Sequence, residues 1–179
     1  MTTLVERIVS VCSALDLAEV PWALGGALAL AYATEEPRGT RDIDVNVFVP
    51  ATSAAQVFAA LPLGVDHTET DAAVALSDGQ VRLWWEGTPI DVFFAVEQFH
   101  MDVGTRCRTV PFGGRLIRVL SAEDLAVFKA MFDRSKDWVD IATMVESNSI
   151  DVEVAADRLG ALLGDDPRVE RLRSLTPPR

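Results

Sequence analysis

Basic residues are scarce in this chain: 16 lysines and arginines stand against 27 aspartates and glutamates, for a formal net charge of −11. Proteins that grip nucleic acid through its phosphates carry a basic surface, so this balance argues against a broad nucleic-acid face and suits recruitment of a basic partner. Arg106, Arg108, Arg115 and Arg118 form a local basic cluster, and it reads as the solvated face of two strands in preference to an RNA-binding surface. Cysteine is nearly absent as well. Cys12 and Cys107 sit among apolar neighbours and read as reduced core thiols, not as a disulfide or a metal pair. His67 and His100 are isolated from each other and read as surface residues. No apolar run reaches membrane-spanning length, and Met1 to Arg7 lacks a basic start followed by an apolar stretch. The expected location is the cytoplasm.

With 49% hydrophobic and 24% charged residues over 179 positions, the composition is that of a globular domain able to bury a core without staples. Helical spacing of Leu4, Ile8, Val11, Cys12 and Leu15 predicts a helix over 3–18. A short strand over 20–24, a Gly25-Gly26 turn and a small-residue helix over 27–33 follow. After a polar loop, residues 42–49 alternate in the strand period, with Ile43, Val45, Val47 and Val49 on one face. A helix is expected over 53–61. Strands over 73–76 and 80–85 are expected to form a hairpin about Asp78-Gly79. Further strands are expected over 90–95, 105–110 and 116–120, the last two joined at Gly113-Gly114. Helices are expected over 122–133, 135–147, 151–163 and 166–174. The order implies an α/β (α+β) class, a mixed sheet flanked by helices. Residues 1–120 form the sheet core, 121–175 a C-terminal helical part of the same domain, and 176–179 a disordered tail.

Asp42 and Asp44 lie two apart on a strand, so their side chains share a face. Two adjacent carboxylates repel, and a purely structural strand has no reason to bear that cost. A divalent cation removes it, because Mg²⁺ takes oxygen ligands from one or two carboxylates plus substrate phosphates. Asp91 is a lone charge in the apolar run Ile90 to Phe94; on a neighbouring strand it either completes a metal site or serves as a general base. Upstream, Gly25-Gly26 ends a strand and opens a helix, where bare backbone and free amides favour a phosphate. Each signal alone reads as a solvated strand or a plain turn. Together, in one strand–turn–helix–loop–strand unit, they are far more specific.

Gly25-Gly26-Ala27-Leu28-Ala29 followed by Arg38-Gly39-Thr40-Arg41-Asp42-Ile43-Asp44-Val45 resembles the opening of the DNA polymerase β-like nucleotidyltransferases. Within them it most resembles the AbiEii/AbiGii-type toxin nucleotidyltransferases, which include the MenT toxins. Gly26 stands where many relatives place serine. Ser121 to Lys129 resembles the subgroup's second motif, and Arg134-Ser135-Lys136-Asp137-Trp138-Val139-Asp140 its Arg-x-x-Asp-x-x-Asp signature. The resemblance covers about residues 20–145. It implies the nucleotidyltransferase fold and transfer of a nucleoside monophosphate from an NTP, with Mg²⁺ or Mn²⁺ on Asp42, Asp44 and Asp91. Nucleotide contacts fall on Gly25, Gly26, Arg38, Thr40 and Lys129. Lys129 reaches the phosphates and Asp137 supports the site, with Asp140 a secondary candidate. In toxin relatives the acceptor is tRNA and the partner a cognate antitoxin, and the closer motif match makes this the expected acceptor; in other relatives, the alternative, it is a small hydroxylated drug such as a lincosamide or aminoglycoside. A module of the same fold that binds without turnover is the alternative of another class.

Arg38 or Arg41 pairs with the triphosphate or with the carboxylates, or else forms a salt bridge within the loop. Lys129 lies inside an apolar helix, an unusual place for a charge without a task, unless it snorkels to solvent. Trp84, Trp85, Phe93 and Phe94 read as sheet core, and Tyr32 as packing at the end of the small-residue helix.

Overall fold

The computed structural model describes residues 2–175; the expected disordered tail lies outside them. The chain divides into two compact units, Met1–Gly25 with Gly39–Val119, and Gly26–Arg38 with Leu120–Arg179.

The first unit holds the whole sheet. Helix α1 (Leu4–Leu17) opens on a capping box between Thr3 and Glu6 and buries Ile8, Val11, Cys12 and Leu15. The strands are β1 (Trp22–Leu24), β2 (Ile43–Pro50), β3 (Val65–Asp66), β4 (Gln80–Trp85), β5 (Thr88–Ala95), β6 (Arg108–Phe112) and β7 (Arg115–Val119). They lie in the order β3-β4-β5-β2-β1-β7-β6. β2 runs parallel to β5 and β1 parallel to β7, while the remaining pairs are antiparallel, so the sheet is mixed as expected.

Register explains the sequence pattern. Ile43 faces Ile90, which faces Leu83; Val45 faces Val92, which faces Val81. All six are buried and form one continuous apolar face. The intervening residues point to the opposite face, where Asp44, Asp91 and Arg82 line up as a single cross-strand row.

Two local expectations are overturned. Residues 73–76 are not a strand but part of helix α4 (Glu69–Asp78), which follows the short helix α3 (Ala54–Ala60). A capping box between Thr68 and Asp71 starts α4. Gly79, at φ +70°, caps its C-terminus, donating its N–H to the Ala75 carbonyl at 2.9 Å. Asp78-Gly79 is thus a helix stop. The β4–β5 hairpin turns at Glu86-Gly87, both at positive φ, as a two-residue primed turn requires. The second revision concerns residues 105 and 106, which end helix α5 (Gln98–Arg106) instead of opening a strand. Gly104 makes that helix possible: a Cβ there would lie 2.9 Å from the Phe48 ring. The hairpin at Gly113-Gly114 is as expected.

The second unit is helical: α2 (Gly26–Thr34), α6 (Ala122–Phe132), α7 (Ser135–Glu146), α8 (Val152–Leu163) and α9 (Pro167–Arg173). The apolar helix α6 packs on each of the other four. Leu125, Ala126, Val127, Ala130, Ile141, Met144, Ala155, Ala156, Leu159 and Leu172 form its core. Asp124 is fully buried there and is compensated by Arg158 at 3.0 Å and the Ser121 hydroxyl at 2.9 Å. Among the described residues no helix is long and apolar enough to cross a membrane.

Candidate active site

β2 and β5 position the carboxylates. Asp44 lies directly opposite Asp91 across the parallel pair, and Asp42 immediately precedes β2. One carboxylate oxygen from each of Asp42, Asp44 and Asp91 lies within 4.8 Å of the other two, and all three residues are half-buried. The sequence pattern thus brings together the three acids it singled out. Thr40 holds the first of them: its hydroxyl donates to Asp42 Oδ1 at 2.5 Å, and its oxygen accepts the Asp42 N–H at 3.3 Å. The Gly25 N–H donates to the Asp44 carbonyl at 2.9 Å, tying the glycine turn to β2. Gly26 adopts φ +53°, a left-handed conformation that glycine takes without strain.

Sequence reasoning missed Arg82. From β4 its guanidinium grips Asp91 bidentately, Nε to Oδ1 and Nη2 to Oδ2, both at 2.7 Å. The hydrogen bonds and charge of Asp91 raise the Arg82 pKa, and Asp42 and Asp44 add to the effect. The signal lay in the alternation of β4, which puts Gln80, Arg82 and Trp84 on the carboxylate face. Trp84 is correspondingly 47% exposed, not core as its apolar character suggested. Phe94 is buried as expected, while Trp85 and Phe93 are half-buried.

A second polar cluster lies within the helical unit. Lys129, at 9% exposure, donates to Asp140 at 2.7 Å and lies 3.7 Å from Asp137. Asp137 also accepts from the Arg134 side chain at 2.6 and 3.1 Å and from its backbone N–H at 3.3 Å. Burial raises the Asp137 pKa, but Arg134 and Lys129 together outweigh it and hold the group below its ordinary value. Arg38 pairs with Asp140 at 3.1 Å. The charge inside the apolar helix is therefore paired, and Asp140, the secondary candidate, makes the shortest contact to it.

Three arginines of the basic cluster have local partners. Arg115 pairs with Asp16 and bonds Ser13, Arg118 donates to the Gly104 carbonyl, and Arg106 sits over the Phe99 ring. Among the described residues neither cysteine is in a disulfide. Cys12 is buried, and desolvation pushes its thiol up to about 12; Cys107 is half-exposed, so only one of the two is a core thiol.

No protein-family model and no curated protein matches the chain. Solved structures do. ANT(2″)-Ia in complex with adenylyl-2″-tobramycin superposes at TM-score 0.56 with 20% identity, over 97% of this chain and 96% of that one. Lincomycin-bound LnuA, a lincosamide antibiotic adenylyltransferase, gives 0.53 with 14% identity over 78% and 94%. A nucleotidyltransferase-like antigenic protein from Paracoccidioides brasiliensis gives 0.52 with 16% identity over 97% and 94%. The chain has the nucleotidyltransferase fold.

Proposed function

We propose that this chain is a metal-dependent nucleotidyltransferase that moves a nucleoside monophosphate from an NTP to a hydroxyl of an acceptor. The observation that carries the reading is the convergence of Asp42, Asp44 and Asp91 within 4.8 Å on a nucleotidyltransferase fold. The donor set fits Mg²⁺ or Mn²⁺: hard oxygen ligands, two of them on facing strands. Asp42, Asp44 and Asp91 would hold the metal, which when bound supplies Lewis-acid stabilisation of phosphate oxygens.

The protein's own groups do the rest. Thr40 fixes the Asp42 carboxylate by its short hydrogen bond, so the ligand is oriented before metal arrives. The glycine turn, anchored through Gly25 to β2, offers side-chain-free backbone to the triphosphate. The acceptor oxygen bonds to the α-phosphorus, the bond to the bridging oxygen breaks, and pyrophosphate leaves with that electron pair. Asp91 takes the hydroxyl proton once Arg82 has turned away from it. For Lys129, Asp137 and Arg38 we retain the roles that the resemblance implies: Lys129 and Arg38 toward the nucleotide phosphates, Asp137 as support.

For the acceptor we favour a cationic, hydroxylated small molecule. The net charge of −11, the locally engaged arginines and the exposed Trp84 on the acidic face all support it. ANT(2″)-Ia and LnuA offer precedents on the same fold. The toxin-type alternative, with tRNA as acceptor and a cognate antitoxin as partner, rests on the motif resemblance. One assay separates them: α-labelled NTPs with Mg²⁺, against aminoglycosides, lincosamides and a tRNA pool, beside Asp42→Ala. Labelled drug that the variant fails to make supports the favoured reading, and labelled tRNA transfers it to the toxin type. No transfer to either in the wild type, or undiminished transfer by Asp42→Ala, overturns the assignment.

A further inference from the structure

Asp91 has two oxygens, and Arg82 occupies both at 2.7 Å. A guanidinium in that fork takes one lone pair on each oxygen, the pair that a divalent ion held by both oxygens would use. It also places a fixed positive charge beside the proposed metal position. The row Asp44–Asp91–Arg82 is set by strand register, so the pairing is built into the sheet. Three carboxylates with one guanidinium carry two negative charges, against three once Arg82 is displaced, so a cation on the site gains by displacing it. A second ion requires Arg82 to leave Asp91 or the triphosphate to contribute its own charge. Arg82 is able to leave, since its side chain is 52% exposed whereas that of Asp91 is 17% exposed. The exposed guanidinium has water to pair with when it leaves, and a cation on Asp91 takes its place.

We propose that Arg82 is a built-in counter-ion of the carboxylate site: it holds Asp91 in the metal-free protein and competes with divalent cation for it. Arg82 is a positioning residue, acting through Asp91 and setting how tightly, and with what stoichiometry, the site takes metal. The proposal rests on the metal-dependent reading above and goes beyond it by giving the site an internal competitor.

The test is Mn²⁺ titration of the nucleotide-free full chain, followed by electron paramagnetic resonance of free Mn²⁺ at fixed ionic strength. Arg82→Gln is expected to tighten Mn²⁺ binding up to about fivefold, the factor that follows from losing one competing exposed charge–charge pair. Arg82→Lys, which keeps the charge but lacks the fork, is expected to fall between, and it serves as the probe if Arg82→Gln does not fold. In an Asp91→Asn background the gain is expected to vanish. A gain that persists there reports only through-space charge and overturns the proposal, as does unchanged or weaker binding by Arg82→Gln. If the wild type binds Mn²⁺ and Arg82→Gln binds it equally, the counter-ion role falls and the metal-dependent reading stands. If neither binds, both fall.

Discussion

Replacing one carboxylate of the acidic site is expected to stabilise the metal-free protein while abolishing its chemistry. Asp42→Asn is the cleanest change, because an amide oxygen keeps the hydrogen bond that Thr40 donates and the volume is conserved. The charge on Asp42 has two like neighbours within 4.8 Å, Asp44 and Asp91. At that distance, with the dielectric of water suited to half-exposed groups, each repulsion costs roughly 0.9 kcal/mol. Arg82 offsets part of it, so the net relief is about 1 kcal/mol. For a domain of this size that corresponds to a melting temperature raised by about 2–4 °C. The assay is thermal unfolding by circular dichroism in excess chelator, repeated in millimolar Mg²⁺. In chelator the variant melts higher; in Mg²⁺ the wild type gains and the variant gains little, because a ligand that binds the native state stabilises it by mass action. An Asp42→Asn protein that melts no higher than wild type in chelator would refute the claim that these acids repel without metal.

Three further outcomes follow from the same geometry. Asp137→Ala removes a buried carboxylate gripped by Arg134 and leaves Lys129 with one acid fewer; urea unfolding is expected to show a loss of about 3 kcal/mol, and a loss below about 1 kcal/mol would place the cluster at the exposed-pair level. Acid stability should fall between pH 3.8 and about 2, because Asp137 is held below 3.8 and Asp166, through its hydrogen bonds with Arg168, at about 2. Between those values the unfolded chain binds more protons than the folded one, so stability is intact above the window and is lost as pH drops through it. Acid titration of the Asp137→Asn, Asp166→Asn double variant should show a shallower decline, and an unchanged profile would refute the assignment. Gly79→Ala should cost about 1 kcal/mol or more, since the residue has φ +70° and its Cβ would lie 2.6 Å from Val96 Cγ2; Gly87→Ala, at φ +81° with open space around it, should cost less in the same melt.

What could be read from the chain without coordinates was whatever is written in local periodicity. The alternation of Ile43, Val45 and Val47 reports one buried sheet face because a strand pleats with period two wherever it lies. Helices α6 to α9 were legible within two residues at each end because capping side chains and apolar spacing agree there. The errors fell where one local signal serves two structures. A glycine at positive φ closes a hairpin or caps a helix equally well, and Val74-Ala75-Leu76 fits either. Thr68 and Asp71 decide in favour of the helix, because together they satisfy the free amides of its first turn.

The site divides along the same line. Asp42 and Asp44 share a face by spacing alone, and the Asp91 strand was legible as well. Which strand stands beside which is a property of the sheet order, in which β5 separates β4 from β2 although β2 precedes both in the chain. Arg82 enters the site through the hairpin: nine residues from Asp91 along the chain, it becomes a direct cross-strand neighbour after the Glu86-Gly87 turn sets the register. A one-residue slip in that hairpin would send Arg82 to the apolar face and leave Asp91 without its cation. The turn therefore governs the electrostatics of the site, though neither of its residues touches a carboxylate of the triad. Lengthening it by one residue should tighten metal binding as replacing Arg82 does, and it should cost stability too, since Val81 and Leu83 would lose their buried positions.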